Sequence, residues 1–476
     1  MQAPNDTSAV RRSYDVLRKA ASDRPYPDAD TRDDQLRRLA EMIKKYDDEM
    51  VKACSDDFGF RVAMESRTAD VLISLDAARG ARTHLREWMM RRTVPTHPMS
   101  IPSHVYIEPM PLGVVAIISP WNYPFLLALS PLAGALAAGN RVLIKPSELS
   151  PISSALLAKM IAEYFKPDEV AVVQGGADVA REVTSLPVDH IVFTGSTQVG
   201  RLVAKAAADN LVPTTLELGG KSPALVHPSA SLDRAAERIA LGKTFNGGQT
   251  CIAPDYALVP RASSAQFVEK VKARLMAQHP NGEGYTSMIS DKALKRIDAL
   301  IADAKSKGAK VVETFKAKDG TRALAPVILL DVKDDMQVMQ EEIFGPILPI
   351  ETYDTLDEAI ARINARPHPL AFYYFDDDQD RIDDVLKRVP AGGVSINDTL
   401  IHIGQESLPF GGVGPSGMGA YHGVHGFEAM SHMRGVINSS RLALAYNFLK
   451  PPFAPIAART VNLLIRGLQG LAKKLE

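Results

Sequence analysis

The sequence predicts an α/β protein built from doubly wound, mostly parallel sheets, with two such units in succession. Two observations carry this. Apolar runs too short for buried helices alternate with helix-length segments between Gly113 and Leu218, and again between Tyr256 and Ile396. At 476 residues the chain is also longer than one hydrophobic core ordinarily spans, which suggests about two or three domains.

Leu36, Leu39, Ala40, Ile43 and Val51 recur near helical spacing among charges, and Val71 to Trp88 continues the pattern, so the first ninety or so residues read as helices awaiting a sheet. Cys54 falls within this pattern and reads as a packing residue. Thr93 to Met110 carries four prolines, and Ser103 to Glu108 alternates like a half-exposed strand, which suits an edge or an arm. Gly113 to Ile118, Arg141 to Ile144, Val170 to Val173, His190 to Phe193 and Thr214 to Leu218 then read as buried parallel strands. Helices are predicted between them at Pro124 to Ala138, Pro151 to Phe165, Ala177 to Ser185 and Thr197 to Asp209.

The second unit has strand candidates at Tyr256 to Val259, Ala325 to Leu329, Ile347 to Thr352, Leu370 to Phe375 and Gly393 to Ile396. Its helices are Ser264 to Gln278, Asp291 to Lys307, Leu356 to Ala365 and Asp380 to Arg388. In the tail, Val461, Leu464, Ile465, Leu468, Leu471 and Leu475 mark one helical face, with Arg466, Gln469, Lys473 and Lys474 on the other. Packing of the apolar face on the protein itself is the favoured expectation, and contact with a membrane surface is the alternative.

Lys and Arg total 55 against 56 Asp and Glu, so no global field points to nucleic acid. Met1 to Asp33 lacks the apolar core of a signal peptide, and nowhere do roughly 18 apolar residues run together. A cytoplasmic protein is expected. Two cysteines provide neither a disulfide framework nor a metal cluster, and no metal is expected.

Sheets of this kind bind ligands at the C-terminal ends of their strands. Four polar turns fall there: Ser119-Pro120-Trp121-Asn122-Tyr123-Pro124, Lys145-Pro146-Ser147-Glu148, Thr194-Gly195-Ser196-Thr197-Gln198-Val199-Gly200 and Gly219-Gly220-Lys221-Ser222. Singly, each has an ordinary explanation as a turn, a cap or a solvated ion pair; on one edge together they mark a site. Gly195 to Gly200, opening a helix, is the better nucleotide candidate. Gly412 to Gly417 fits G-x-G-x-x-G but follows Pro409-Phe410 instead of a buried strand, and reads as a loop. Gly219 to Ser222 resembles the end of a P-loop, but Thr215 stands where that motif needs its first glycine. Cys251 lies in Asn246-Gly247-Gly248-Gln249-Thr250-Cys251-Ile252-Ala253-Pro254. A free cysteine is usually a small buried hydrophobe, whereas a polar, glycine-rich setting suits a reactive thiol, and the segment alone leaves both readings open.

Phe193-Thr194-Gly195-Ser196, Leu216-Glu217-Leu218-Gly219-Gly220-Lys221, Gly248-Gln249-Thr250-Cys251, Glu341-Glu342-Ile343-Phe344-Gly345-Pro346 and Pro409-Phe410-Gly411-Gly412 resemble, in order, the motifs of the NAD(P)-dependent aldehyde dehydrogenase superfamily. The resemblance runs from about Leu36 to Val436. Ile252 to Tyr256 and Ser416 to Gly423 are similar to its class 3 branch, and Asp57-Phe58-Gly59-Phe60-Arg61 is similar to the coniferyl aldehyde dehydrogenase subgroup.

The resemblance implies an aldehyde dehydrogenase-like fold: an NAD-binding domain over 1–217, interrupted by an arm strand near 93–110, a catalytic domain over 218–424, an oligomerisation arm over 425–441 and an amphipathic tail over 442–476. It implies a homodimer. Cys251 would be the nucleophile, Glu217 the base that activates water, and the Asn122 side chain with the Cys251 N–H the oxyanion donors. Gly195, Ser196, Val199 and Gly200 would lie under the pyrophosphate, Lys145 and Glu148 would hold the adenosine ribose, and Glu342 and Phe344 would hold the nicotinamide ribose. Glu148 favours NAD, because a carboxylate repels the phosphate of NADP, which is the alternative cofactor. Gly248 stands where relatives often carry Ala or Cys, implying a slightly more mobile loop. The implied reaction oxidises an aromatic, coniferyl-type aldehyde, or a medium- or long-chain aliphatic one, to the acid through a cysteine hemithioacetal and thioester. Transfer of the acyl group to CoA is the alternative, which Glu217 disfavours, and a non-catalytic member of the fold is a third reading.

Overall fold

The computed structural model describes residues 7–97, 100–280, 284–317, 321–442, 451–453 and 455–472. The chain falls into two compact units, one made of the chain up to Leu85 with Pro111–Ser431, the other of Arg86–Met110 with the chain from His432.

The first unit holds two sheets. A six-stranded sheet runs Gly417–Met418, Thr214–Glu217, His190–Thr194, Val114–Ile118, Arg141–Lys145, Val170–Val172, parallel except for its first strand. Every residue of Val114–Ile118, Arg141–Lys145 and His190–Thr194 is buried. Both faces are therefore covered, which is why these strands read as continuous apolar runs without alternation. Leu126–Ala138, Pro151–Tyr164, Ala177–Ser185 and Thr197–Asp209 are helical, with ends a residue or two from their predicted positions. All five strands of the parallel set end on one edge, so the four polar turns do converge.

The second sheet has seven strands in the order Lys310–Glu313, Val327–Leu330, Ile347–Tyr353, Tyr256–Pro260, Pro223–Val226, Ala371–Phe375, Gly393–Ile396. Only the Lys310–Glu313 pairing is antiparallel. Pro223–Val226, which sequence patterning missed, sits inside this sheet with all four residues buried. It is short, follows a turn-like Gly-Gly-Lys-Ser, and opens on a proline, tolerated because the first strand position can lack a ladder N–H. Gly412–Gly417 is a loop, as read, but its end becomes the antiparallel edge strand.

The N-terminal helices are Thr7–Asp23, Ala29–Lys45, Asp47–Phe58, Ala63–Ser66 and Ile73–Trp88, with a π-helical turn at Arg67–Leu72. Gly59, in the left-handed region at φ 77°, ends Asp47–Phe58. Cys54 is wholly buried, and burial pushes its thiol up to about 12.

In the second unit, Arg92–Thr93, His104–Pro111 and Ser431–Asn438 form a three-stranded sheet. Glu108 pairs there with Arg91 at 2.7 Å and with Arg434. The tail helix is Pro455–Ala472. Leu464 and Ile465, expected to pack on the protein, are 42% and 47% exposed, so burial of that face is not seen at these positions. Lys473, Lys474 and Leu475 lie outside the described residues. Among the described residues no helix is long and apolar enough to cross a membrane.

Candidate active site

Three successive left-handed residues, Asn246 (φ 54°), Gly247 (φ 62°) and Gly248 (φ 74°), carry the chain from helix Leu232–Thr244 toward Cys251. Glycine is required at 248: a Cβ there would lie 2.5 Å from the Gly345 carbonyl oxygen and 2.9 Å from that of Lys243. This corrects the expectation of a looser loop, because the missing side chain is what lets two backbone segments close on it.

The loop is tied on several sides. Gln249 Nε2 donates to the carbonyls of Asn246 (2.9 Å) and Ser287 (3.1 Å), and its Oε1 accepts from Ile289 N (2.9 Å). Asn246 Nδ2 donates to the carbonyls of Asn122 (3.1 Å) and Gln249 (3.2 Å). Asn122, in the turn after strand Val114–Ile118, donates from Nδ2 to Gln249 O at 3.1 Å. The hydroxyls of Tyr123 and Thr250 are 2.6 Å apart. Asn122 and Cys251 are thus held in one hydrogen-bonded assembly.

Cys251 opens into a cavity of about 450 Å³ whose lining includes Trp121, Asn122, Thr194, Gly195, Ser196, Gln198, Glu217, Glu342 and Phe344. The cavity brings together seven of the sequence-predicted residues: Cys251, Glu217, Asn122, Gly195, Ser196, Glu342 and Phe344. The other four lie outside its lining. Lys145 and Glu148 pair at 2.7 Å after strand Arg141–Lys145. Val199 is exposed on the first turn of helix Thr197–Asp209, whose N-cap Ser196 accepts from Val199 N. Gly200 is buried, and a Cβ there would run into the Leu218 side chain, so it lets the helix approach the strand end. A larger cavity of about 580 Å³, lined by Arg261, Glu351 and Arg362 among others, holds none of these residues.

The acidic groups of the site are unusual. Glu217 ends its strand buried, with neither carboxyl oxygen hydrogen-bonded among the described residues, and burial holds its pKa well above the usual carboxylate range. Burial and then the charge of Asp255 push Glu342 up to about 8, against the Gly220 N–H and the charges of Lys221 and Arg296. Its Oε1 has no hydrogen-bond partner among the described residues. The Cys251 thiol is pushed up by burial and then by Glu342 and Glu217, while the backbone N–H groups of Cys251 and Ile252 pull the other way.

Sequence reasoning missed the support behind Glu342. Lys221 Nζ pairs with Asp255 and donates to the carbonyls of Val338 (2.7 Å) and Glu341 (3.1 Å). Asp255 accepts from Ile343 N at 2.9 Å, and Arg296 donates to the carbonyls of Ile343 (2.7 Å) and Glu342 (2.5 Å). Phe344, left-handed at φ 49°, meets the Trp121 ring edge-on at 5.5 Å. The available signal is Lys221, a lysine in one of the four polar turns and at the end of the Leu-Glu-Leu-Gly-Gly-Lys run, for which the sequence names no partner.

A model of the aldehyde dehydrogenase family matches residues 5–436. The chain belongs to the aldehyde dehydrogenase family. Among its relatives, a probable coniferyl aldehyde dehydrogenase of Pseudomonas aeruginosa is 45% identical over 466 residues, covering 97% of this chain and 98% of that one. A coniferyl aldehyde dehydrogenase of a Pseudomonas species is 40% identical, with the same coverage of each chain. The substrate-bound structure of Staphylococcus aureus AldH aligns with a TM-score of 0.87 at 38% identity, over 91% of this chain and 95% of that one. A Mycobacterium tuberculosis aldehyde dehydrogenase complexed with NAD+ aligns with a TM-score of 0.82 at 28% identity, over 90% of each. The doubly wound sheets of this chain are accordingly the aldehyde dehydrogenase fold.

Proposed function

We propose that this aldehyde dehydrogenase oxidises aromatic, coniferyl-type aldehydes with NAD through an acyl-enzyme on Cys251. The observation that carries the mechanism is the convergence of a reachable thiol, the Asn122 amide and an unpartnered buried carboxylate in one cavity. The relatives named for coniferyl aldehyde support the substrate class.

The thiolate of Cys251 attacks the carbonyl carbon, and the oxygen that becomes negative is received by the Asn122 side-chain amide and the Cys251 N–H. NAD, when bound, supplies the hydride acceptor that turns the resulting hemithioacetal into a thioester. Glu217 then takes a proton from water as the water oxygen bonds to the acyl carbon, the C–S bond breaks, and Cys251 leaves as thiolate. A carboxylate whose proton affinity is raised by burial is suited to that task.

The residues fit NAD. Glu342, whose Oε1 has no hydrogen-bond partner among the described residues, lines the cavity, Gly195 could not carry a Cβ without meeting Phe193 at 2.6 Å, and Ser196 caps a helix whose N-terminus favours phosphate. Gly195, Ser196, Val199 and Gly200 would hold the pyrophosphate, Lys145 and Glu148 the adenosine ribose, and Glu342 and Phe344 the nicotinamide ribose. The partly exposed Glu148 carboxylate favours NAD over NADP. We also assign cofactor binding to the six-stranded sheet, catalysis to the seven-stranded one, and pairing of a homodimer to the three-stranded arm.

The test is a panel of cinnamyl-type and aliphatic aldehydes, run with NAD and NADP and with CoA added or withheld. Highest kcat/KM for coniferyl-type aldehydes with NAD and no CoA is expected. A requirement for CoA, or faster turnover of aliphatic aldehydes, overturns the assignment.

A further inference from the structure

The Asp57–Arg61 run, which resembles the coniferyl subgroup, has no task in the reaction above. Its place is directly behind the site. Asp57 accepts from Ile152 N (3.0 Å) and Ser153 N (2.8 Å), fixing the run to the start of helix Pro151–Tyr164. The Arg61 guanidinium stacks 4.9 Å from the Tyr123 ring centre, and its Nη1 is 3.0 Å from Asp70 Oδ2, with both side chains fully buried.

Two carboxylates beside Arg61 bear on the two backbone segments that form the candidate oxyanion site. Asp70 Oδ1 accepts from Phe125 N (3.1 Å) and Leu126 N (3.2 Å), just after Asn122, at a helix start that has no side-chain cap of its own. The Glu65 carboxylate accepts from the Thr286 hydroxyl at 2.6 Å, and the next residue, Ser287, accepts at its carbonyl from Gln249 Nε2 of the Cys251 loop at 3.1 Å. The π-helical turn Arg67–Leu72 buries Ala69, Asp70 and Val71 in succession, which turns Asp70 toward the site. A buried ion pair is weak support for stability, since apolar replacements of similar volume often do as well. Here Asp70 Oδ1 is committed to the backbone just after Asn122, and Glu65 to the Thr286 hydroxyl beside the Cys251 loop.

We propose that Glu65 and Asp70, the latter paired with Arg61, are positioning residues that set the separation of the Asn122 amide from the Cys251 N–H and thereby the rate of acyl-enzyme formation. The inference rests on the roles given to Asn122 and Cys251 above.

The experiment measures single-turnover NADH formation per titrated active site, with NAD affinity and melting temperature alongside. Three variants are compared with the parent: the paired Arg61→Met/Asp70→Asn, which leaves no lone charge buried by that pair; Glu65→Gln, which keeps an acceptor for the Thr286 hydroxyl; and Thr286→Val, which removes the hydroxyl that Glu65 holds. The paired variant should slow acylation by about 100-fold, the loss expected when reacting groups shift on the order of 1 Å, with NAD affinity unchanged. Glu65→Gln should retain most of the parent rate, and Thr286→Val should fall between. Parent-like acylation in the paired variant and in Thr286→Val overturns the inference, as does a loss that merely follows melting temperature and NAD affinity. A parent enzyme that forms no NADH with any aldehyde sinks the proposed function instead.

Discussion

On one side of the cleft, the loop from Asn246 to Thr250 has its side chains engaged: Asn246 and Gln249 donate to backbone carbonyls, Thr250 meets Tyr123, and Gly248 is wedged between the carbonyls of Lys243 and Gly345. On the other, among the described residues, Glu217 has both carboxyl oxygens without a hydrogen-bond partner and Glu342 has one. Donors that must meet a developing oxyanion are useful only if they do not move, so the Asn122 and Cys251 side is cross-linked. Groups that must exchange protons lose that freedom once committed to structural bonds, so the carboxyl side is left open. Cys54 sharpens the point: burial pushes both thiols up, and what distinguishes Cys251 is access to the cavity and the groups facing it.

The contrast can be broken at either side. Cys251→Ala should abolish aldehyde-dependent NADH formation while NAD binding by fluorescence titration stays measurable; turnover near the parent rate contradicts the thiol's role. Asn122→Ala should lower the acylation rate by about 100- to 1000-fold, read in a stopped-flow burst, because one of two preorganised donors is gone. Glu342→Gln acts on the open side. Negative charge at Glu342 raises the Cys251 thiol, so the neutral amide should lower it. The midpoint of iodoacetamide alkylation against pH should fall by on the order of one unit, and an unmoved midpoint removes the like-charge account. Gly248→Ala tests the cross-linked side: a left-handed backbone and a 2.5 Å approach to Gly345 O should cost about 1–3 kcal/mol in urea unfolding.

Much of this was legible in the sequence, for identifiable reasons. Strands covered on both faces, such as Val114–Ile118 and His190–Thr194, leave unbroken apolar runs, and the turns at their ends carry the polar residues that the cavity gathers. Pro223–Val226 was hidden because four residues behind a turn give no period to read. Lys221, Asp255 and Arg296 were hidden for another reason: each acts on the distant Val338–Ile343 stretch, and only the folded chain brings them together. The missing partners of Glu217 and Glu342 are equally a property of packing. A carboxylate's residue type shows in the sequence, but its lack of hydrogen bonds does not.

Glu217→Gln tests the division of labour most directly. With a coniferyl-type aldehyde and excess NAD, the variant should release one equivalent of NADH per active site in a burst and then stall, with the acyl mass recovered on the Cys251 peptide after acid quench. Steady turnover at the parent rate with no acyl group on Cys251 would contradict the assignment of the open carboxylate to thioester hydrolysis.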